Sequence, residues 1–136
     1  MTTRYSGPKR PKFVELTQLA YSDQQVGEGV AQYDLLYYRG AILFRADPQA
    51  SSTMPAAGMA LASALSGGYV DLLKRGIVSN GGWALASGDF VYAASGSTVT
   101  ATPPSASGEI IQRLGTAMTA ESIDFEAEDN YTTITV

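Results

Sequence analysis

The spacing of breaks limits this chain more than any other feature. From residue 13 onward, short runs of apolar, aromatic and β-branched residues are cut by Gly, Pro, Asn or Asp every eight to twelve residues. Few stretches are long enough for a helix of ordinary length. The pattern predicts an all-β domain, a compact β-sandwich or barrel. Candidate strands cover residues 13–19, 30–38, 41–44, 70–73, 77–79, 99–102, 110–118, 122–125 and 132–136. The 70–73 and 77–79 runs flank Lys74, Arg75 and Gly76. Asn80-Gly81 is the strongest short hairpin signal, because a type I′ turn needs positive φ at both central residues. Trp83 and Leu85 then share one strand face, with Trp83 as a core anchor. Phe90 and Tyr92 share the next.

Residues 54–65 are the ambiguous stretch. They are rich in Ala, Met and Leu, all good helix formers, with Pro55 near a helix start. Gly58 within them costs a helix about 1 kcal/mol relative to Ala. An internal repeat, 40–76 against 88–128, tips the reading toward β. Gly40-Ala41-Ile42-Leu43-Phe44-Arg45 resembles Gly88-Asp89-Phe90-Val91-Tyr92-Ala93. Ala57-Gly58-Met59-Ala60-Leu61 resembles Leu114-Gly115-Thr116-Ala117-Met118, and Tyr69-Val70-Asp71-Leu72 resembles Ser122-Ile123-Asp124-Phe125. The offsets are 48, 57 and 53 residues, so small loop insertions separate the copies. Two similar β units would share one core, since neither buries enough surface alone.

Charge divides the chain differently. Arg4, Lys9, Arg10 and Lys12 precede the first acid, Glu15, while the other 124 residues carry five basic and thirteen acidic groups. Residues 1–12 also hold Gly7, Pro8 and Pro11 and bury little apolar surface. The organisation expected is an extended basic N-terminal arm, 1–12, on a single acidic β domain, 13–136. An acidic body is a poor partner for nucleic acid. No apolar h-region marks the N-terminus as a secretory signal, and no run of 18 apolar residues suggests a membrane span.

Chemistry is scarce. The 136 residues include no cysteine and no histidine. This removes thiol nucleophiles, cysteine zinc sites, iron–sulfur clusters, the Ser-His-Asp triad and the commonest general base. Gly27-x-Gly29 is not a dinucleotide fingerprint, because position 32 is Gln. Asp124, Glu126 and Glu128 fall on one face of an extended segment beside Asp129. They lack the EF-hand spacing and its glycine, so a solvated edge that repels stray strands is the better account. A carboxylate-dependent hydrolase using Glu109 or Glu126 is the enzymatic alternative, and nothing in the sequence implies the cleft it needs. The expectation is no enzyme, no cofactor and no metal.

The residues that follow carry a resemblance: 53–61 (TMPAAGMAL), Gly67 to Leu73 (GGYVDLL), Gly76-Ile77-Val78, Trp83-Ala84-Leu85, Gly88 to Tyr92 (GDFVY), 100–108 (TATPPSASG), 110–118 (IIQRLGTAM) and Ile123-Asp124-Phe125. This pattern resembles a β module of tailed-bacteriophage virions, found in head decoration (cement) proteins and at the ends of tail or head fibres. It spans about residues 42–125. Fibre proteins usually carry the module after a long repetitive stalk, and none is seen here, so the chain looks more like a decoration protein. The resemblance implies a homotrimer at threefold or quasi-threefold points of the shell, with the major capsid protein as partner. It implies location on the virion surface after assembly in the host cytoplasm, and no membrane or nucleic-acid partner. An N-terminal extension that grips the capsid maps onto Arg4, Tyr5, Lys9, Arg10, Lys12 and Phe13. The alternative is a tail, neck or head fibre component that attaches to a receptor or glycan.

Tyrosine suits interfaces, having an apolar body and a polar tip. Alternation sets Tyr33, Leu35 and Tyr37 on one strand face and Asp34, Leu36 and Tyr38 on the other. Both faces carry apolar bulk, which fits a core or a subunit interface. Tyr33, Tyr37 and Tyr38 are therefore the candidate interface residues.

Overall fold

The computed structural model describes residues 18–127 and 131–134. The arm, 1–12, and most of the 13–19 run lie outside the described residues. The described chain forms β1 (Leu19–Gln25), β2 (Leu35–Arg39), β3 (Ile42–Arg45), β4 (Gly58–Ala60), β5 (Tyr69–Ser79), β6 (Phe90–Ala94), β7 (Thr98–Thr100), β8 (Ile110–Ile111), β9 (Arg113–Ala117), β10 (Ser122–Glu126) and β11 (Thr132–Thr133). The domain is all-β, as the spacing of breaks predicts, and its main sheet curls into a half-barrel. The order is β3-β2-β4-β5-β10-β9-β6-β7, with β1 also on β5, and β8 and β11 form a small second sheet. No helix among the described residues is long and apolar enough to cross a membrane.

β5 organises the sheet. Arg75 lies opposite Leu19 of β1 and Glu126 of β10, while Leu73 lies opposite Ala20 of β1 and Met59 of β4. One edge of β5 therefore takes β1, and the other takes β4 and then β10. The alternation of β5 slips midway. Leu73, an odd position, faces the same core as Val78, an even one. The register against β1 skips Lys74, and Gly76 has φ +151°. β9 does the same, with Leu114 and Ala117 on one core and Gly115 at φ +147° between them. Both glycines pair with Phe125 of β10. One extra residue bends a strand and increases its twist, so two bulges flanking one strand curl the sheet around it.

The curl creates two cores. The larger holds Leu35, Tyr37, Met59, Leu73, Val78, Val91, Leu114, Ile123 and Phe125. The smaller holds Val26, Val30, Leu36, Leu43, Ala60, Val70 and Leu72. Adjacent residues divide between them: Leu35 and Leu36, Met59 and Ala60, Leu73 and Leu72. The β2–β4–β5 wall is thus buried on both faces. A parallel bridge from Val26 to Leu43 links the end of β1 to β3, closing β1, β5, β4, β2 and β3 around the smaller core. Gly27 N–H donates to the Leu43 carbonyl, and the Glu28 carboxylate accepts from Arg45 N–H, so the outer edge of β3 is covered. Gln112 is fully buried in the larger core. Its amide accepts from Ala56 N–H at 2.8 Å and donates to the Ala56 carbonyl at 2.9 Å, acting as one rung of a missing strand.

Several local expectations change. Residues 70–73 and 77–79 are one continuous strand, because Lys74 to Gly76 form a bulge and not a turn. Asn80-Gly81 is not a type I′ hairpin, since neither residue has positive φ. Asn80 N–H donates to the Glu121 carbonyl and extends the β5–β10 pairing. Its side chain accepts from Gly82 N–H at 2.9 Å. The strand paired with β5 thus comes from far along the chain, and Trp83 and Leu85 lie outside any strand. Both still pack on the larger core, Trp83 edge-to-face with Tyr33 at 5.6 Å. Residues 54–65, by contrast, give the short strand β4 and no helix, the β reading toward which the internal repeat tips them. Of the segments the repeat compares, β4–β5 and β9–β10 are both adjacent antiparallel pairs, whereas β3 is outermost and β6 adjoins β9. Ala60 lies opposite Leu72, but its counterpart Ala117 lies opposite Ile123.

A Cβ added at Gly115 runs into the Asp124 carbonyl oxygen, and one at Gly29 meets nothing within 4 Å. Gly115→Ala should therefore cost about 2–4 kcal/mol in chemical denaturation. Gly29→Ala should stay within about 0.5 kcal/mol of the parent. Gln112→Leu leaves both Ala56 backbone groups buried without partners, so a loss of about 2–4 kcal/mol is expected in the same measurement.

Candidate functional site

The three tyrosines separate. Tyr37 is 8% exposed and belongs to the larger core, so it contributes to the monomer and not to a subunit interface. Tyr33 precedes β2 with φ +79° and is half-buried against that core and Trp83. Tyr38 is on the opposite face of β2, at the surface, and its hydroxyl donates to Gln24 Oε1 at 2.6 Å. Arg4, Tyr5, Lys9, Arg10, Lys12 and Phe13 lie outside the described residues.

The acidic pair also moves. β10 is a central strand between β5 and β9, so Asp124 and Glu126 do not guard an edge. They point outward because Ile123 and Phe125 point in. Glu128 and Asp129 are outside the described residues. Among the described residues no group of three Asp, Glu, His or Cys side chains is placed to hold a metal. Glu109 and Glu126 line different depressions, of about 180 and 140 Å³. Glu109 also accepts from Ala106 N–H, which holds its own turn. The two carboxylates therefore do not face each other across one cleft. A third depression, of about 240 Å³, lies at Val30, Ser63, Ala64 and Leu65. All three are smaller than a usual small-molecule pocket.

The most developed surface is the outer face of β5, β10, β9 and β6. The smaller core covers the outside of β2, β4 and the first half of β5, but no described element covers this half. Register aligns Ile77, Asp124, Thr116 and Phe90 in one row across four strands. Directly paired residues point to the same side. Ile77 is 63% exposed and Phe90 51%. The Arg113 guanidinium stacks over the Phe90 ring, 3.8 Å from its centroid, and donates to Thr116 Oγ1 at 3.1 Å. In the next row Glu126 pairs with Arg75 across the strands. The absent side chain of Gly115 leaves the floor of a groove walled by Arg113, Asp124 and Glu126. The sequence showed these residues but not their alignment, which depends on both bulges.

Tyr21 and Tyr38 are exposed neighbours at the surface. Burial first, and then the neighbouring Tyr21, push the Tyr38 hydroxyl above the ordinary tyrosine value. The folded state therefore holds this proton more tightly than the unfolded chain. Its contribution is complete below about pH 10 and falls as pH rises through the tyrosine range. Tyr38→Phe should flatten the alkaline decline in melting temperature and remove the late step from an ultraviolet tyrosine titration. Comparison with protein-family models gives no match to this chain, and no curated protein matches it.

Proposed function

We propose that this protein is a bacteriophage capsid decoration protein that binds the outer surface of the major capsid protein shell and stabilises it. One observation carries the reading. While Trp83-Ala84-Leu85 and residues 101–108 run between strands, the other segments that resemble the cement module contribute adjoining strands of one curled sheet: β4, β5, β10, β9 and β6. They build a wall and a core, and their outward residues present surface. That suits a protein whose work is adhesion.

The physics of the role follows from binding. A ligand that favours the closed shell stabilises it by the free energy of its binding to that state. A basic leader beside an acidic body gives each copy two unlike contacts, and copies held together raise the effective concentration of every leader. An extended leader can also add to an exposed sheet edge of the shell protein, where backbone hydrogen bonds supply affinity.

The test uses purified heads of the phage that encodes the chain. The full chain should cosediment with heads lacking it and raise the temperature at which they release DNA. Deleting residues 1–12 should weaken head binding by roughly tenfold or more, since effective concentration multiplies weak contacts. The circular dichroism spectrum of the body should not change. Full retention of binding after the deletion would remove the arm from the reading. Labelling confined to the tail or portal would overturn it in favour of a fibre or neck component.

A further inference from the structure

We propose that Asn80-Gly81 is a self-modification site, where the chain converts its own asparagine to isoaspartate or aspartate and so loosens Trp83 from the core. The inference stands apart from the capsid reading and needs no partner. It rests on the geometry of the turn that follows β5.

The turn holds the reacting groups together. Trp83 N–H donates to the Asn80 carbonyl at 3.1 Å, which closes a β-turn over Gly81 and Gly82. Inside it, Gly82 N–H donates to Asn80 Oδ1 at 2.9 Å. That bond spans the Gly81 amide, so the side-chain carbon Cγ is held beside the Gly81 nitrogen. No described residue accepts from Gly81 N–H, and both glycines are exposed. Asn80 N–H donates to the Glu121 carbonyl and anchors the start of the turn to β10.

These groups carry a balanced reaction. A solvent base takes the Gly81 amide proton, and the nitrogen adds to Asn80 Cγ. Negative charge collects on Oδ1, where Gly82 N–H already points, as a backbone donor does in an oxyanion hole. The tetrahedral carbon then expels Nδ2, which takes a proton from solvent and leaves as ammonia. The new N–Cγ bond replaces the Cγ–Nδ2 bond, and the product is a cyclic succinimide. No oxidant or reductant takes part. One water opens the ring. Attack at Cγ gives aspartate. Attack at the main-chain carbonyl gives isoaspartate, with the chain running through the former side chain.

Glycine at position 81 serves this chemistry and not the fold. A Cβ built there meets nothing within 4 Å, and its φ is not left-handed. A side chain at that position would instead shield the attacking nitrogen. Asn80 is also the one asparagine among the described residues.

The product acts on the core. Isoaspartate inserts a methylene into the main chain between β5 and Trp83, which breaks the geometry of the Trp83-to-Asn80 hydrogen bond. Trp83 is the single tryptophan of the protein, packs on the larger core and meets Tyr33 edge-to-face at 5.6 Å. Either product also adds a negative charge where Asn80 adjoins Glu121, and like charges across a strand pair oppose each other.

The test incubates the full chain in warm neutral buffer and follows it by peptide mapping with mass spectrometry. The peptide containing Asn80 should gain about 1 Da as an amide becomes a carboxylate, and enzymatic methyl labelling should find isoaspartate in it. Gly81→Ala should keep the parent's circular dichroism spectrum and slow the mass gain by roughly tenfold or more. Emission of the single tryptophan should shift to the red in step with the isoaspartate fraction. A folded chain that keeps its ammonia while the same chain in urea loses it would overturn the inference. So would a Gly81→Ala variant that gains mass at the parent's rate, or isoaspartate formation with unchanged tryptophan emission.

Discussion

The curl at Phe125 governs the rest of the molecule. On either side of this residue the neighbouring strand carries a glycine at a φ that L side chains rarely adopt, Gly76 on β5 and Gly115 on β9. Each glycine sits where its strand slips its alternation by one. A flat sheet of this size would show one apolar face to a single core and leave no enclosed space. The two slips turn β9 and β6 inward, so that Leu114, Ala117, Val91 and Ala93 reach the same interior as Leu35 and Met59. The Cβ atom that Gly115 lacks would overlap the neighbouring Asp124 carbonyl, so close backbone approach and curl are one event.

From that curl follow the two cores and the difference between the halves of the sheet. β2, β4 and the first half of β5 are a wall with apolar residues on both sides. The segment after β1 returns across their outside and joins β3 through Val26. Past Gly76 nothing described covers β5, β10, β9 and β6 from outside. A sheet face in that position is ordinarily polar. This one mixes Asp124, Glu126, Arg113 and Thr116 with the exposed Ile77 and Phe90. The proposed capsid role uses adhesion and asks the chain for no catalysis.

Much of the fold was legible in local pattern. Alternation in residues 122–126 and 35–38 gave the inward and outward faces correctly, including the double burial around Leu35 and Leu36. Trp83 packs on the core as expected, although it stands outside any strand. What misled was local chemistry taken without its partners. Asn80-Gly81 has the residues of a tight hairpin, yet the β5 edge at that point is already occupied by β10. Lys74, Arg75 and Gly76 have the residues of a turn, yet pairing on both edges carries the chain straight through as a bulge. Asp124 and Glu126 look like edge guards, and only the strand order makes them central.

The amino-acid sequence by itself determined that the fold is all-β, that basic residues cluster in the first twelve positions while the remainder is acidic, and that histidine and cysteine chemistry is closed to the chain. These follow from composition and from a period of two, which act over a few residues. The tertiary structure decided which strands pair, where the sheet curls, and which outward residues share a row. Those depend on hydrogen bonds between segments some fifty residues apart, such as β5 with β10. The free energy that selects such a pairing is a property of the whole assembled sheet, and no short stretch of the chain contains it.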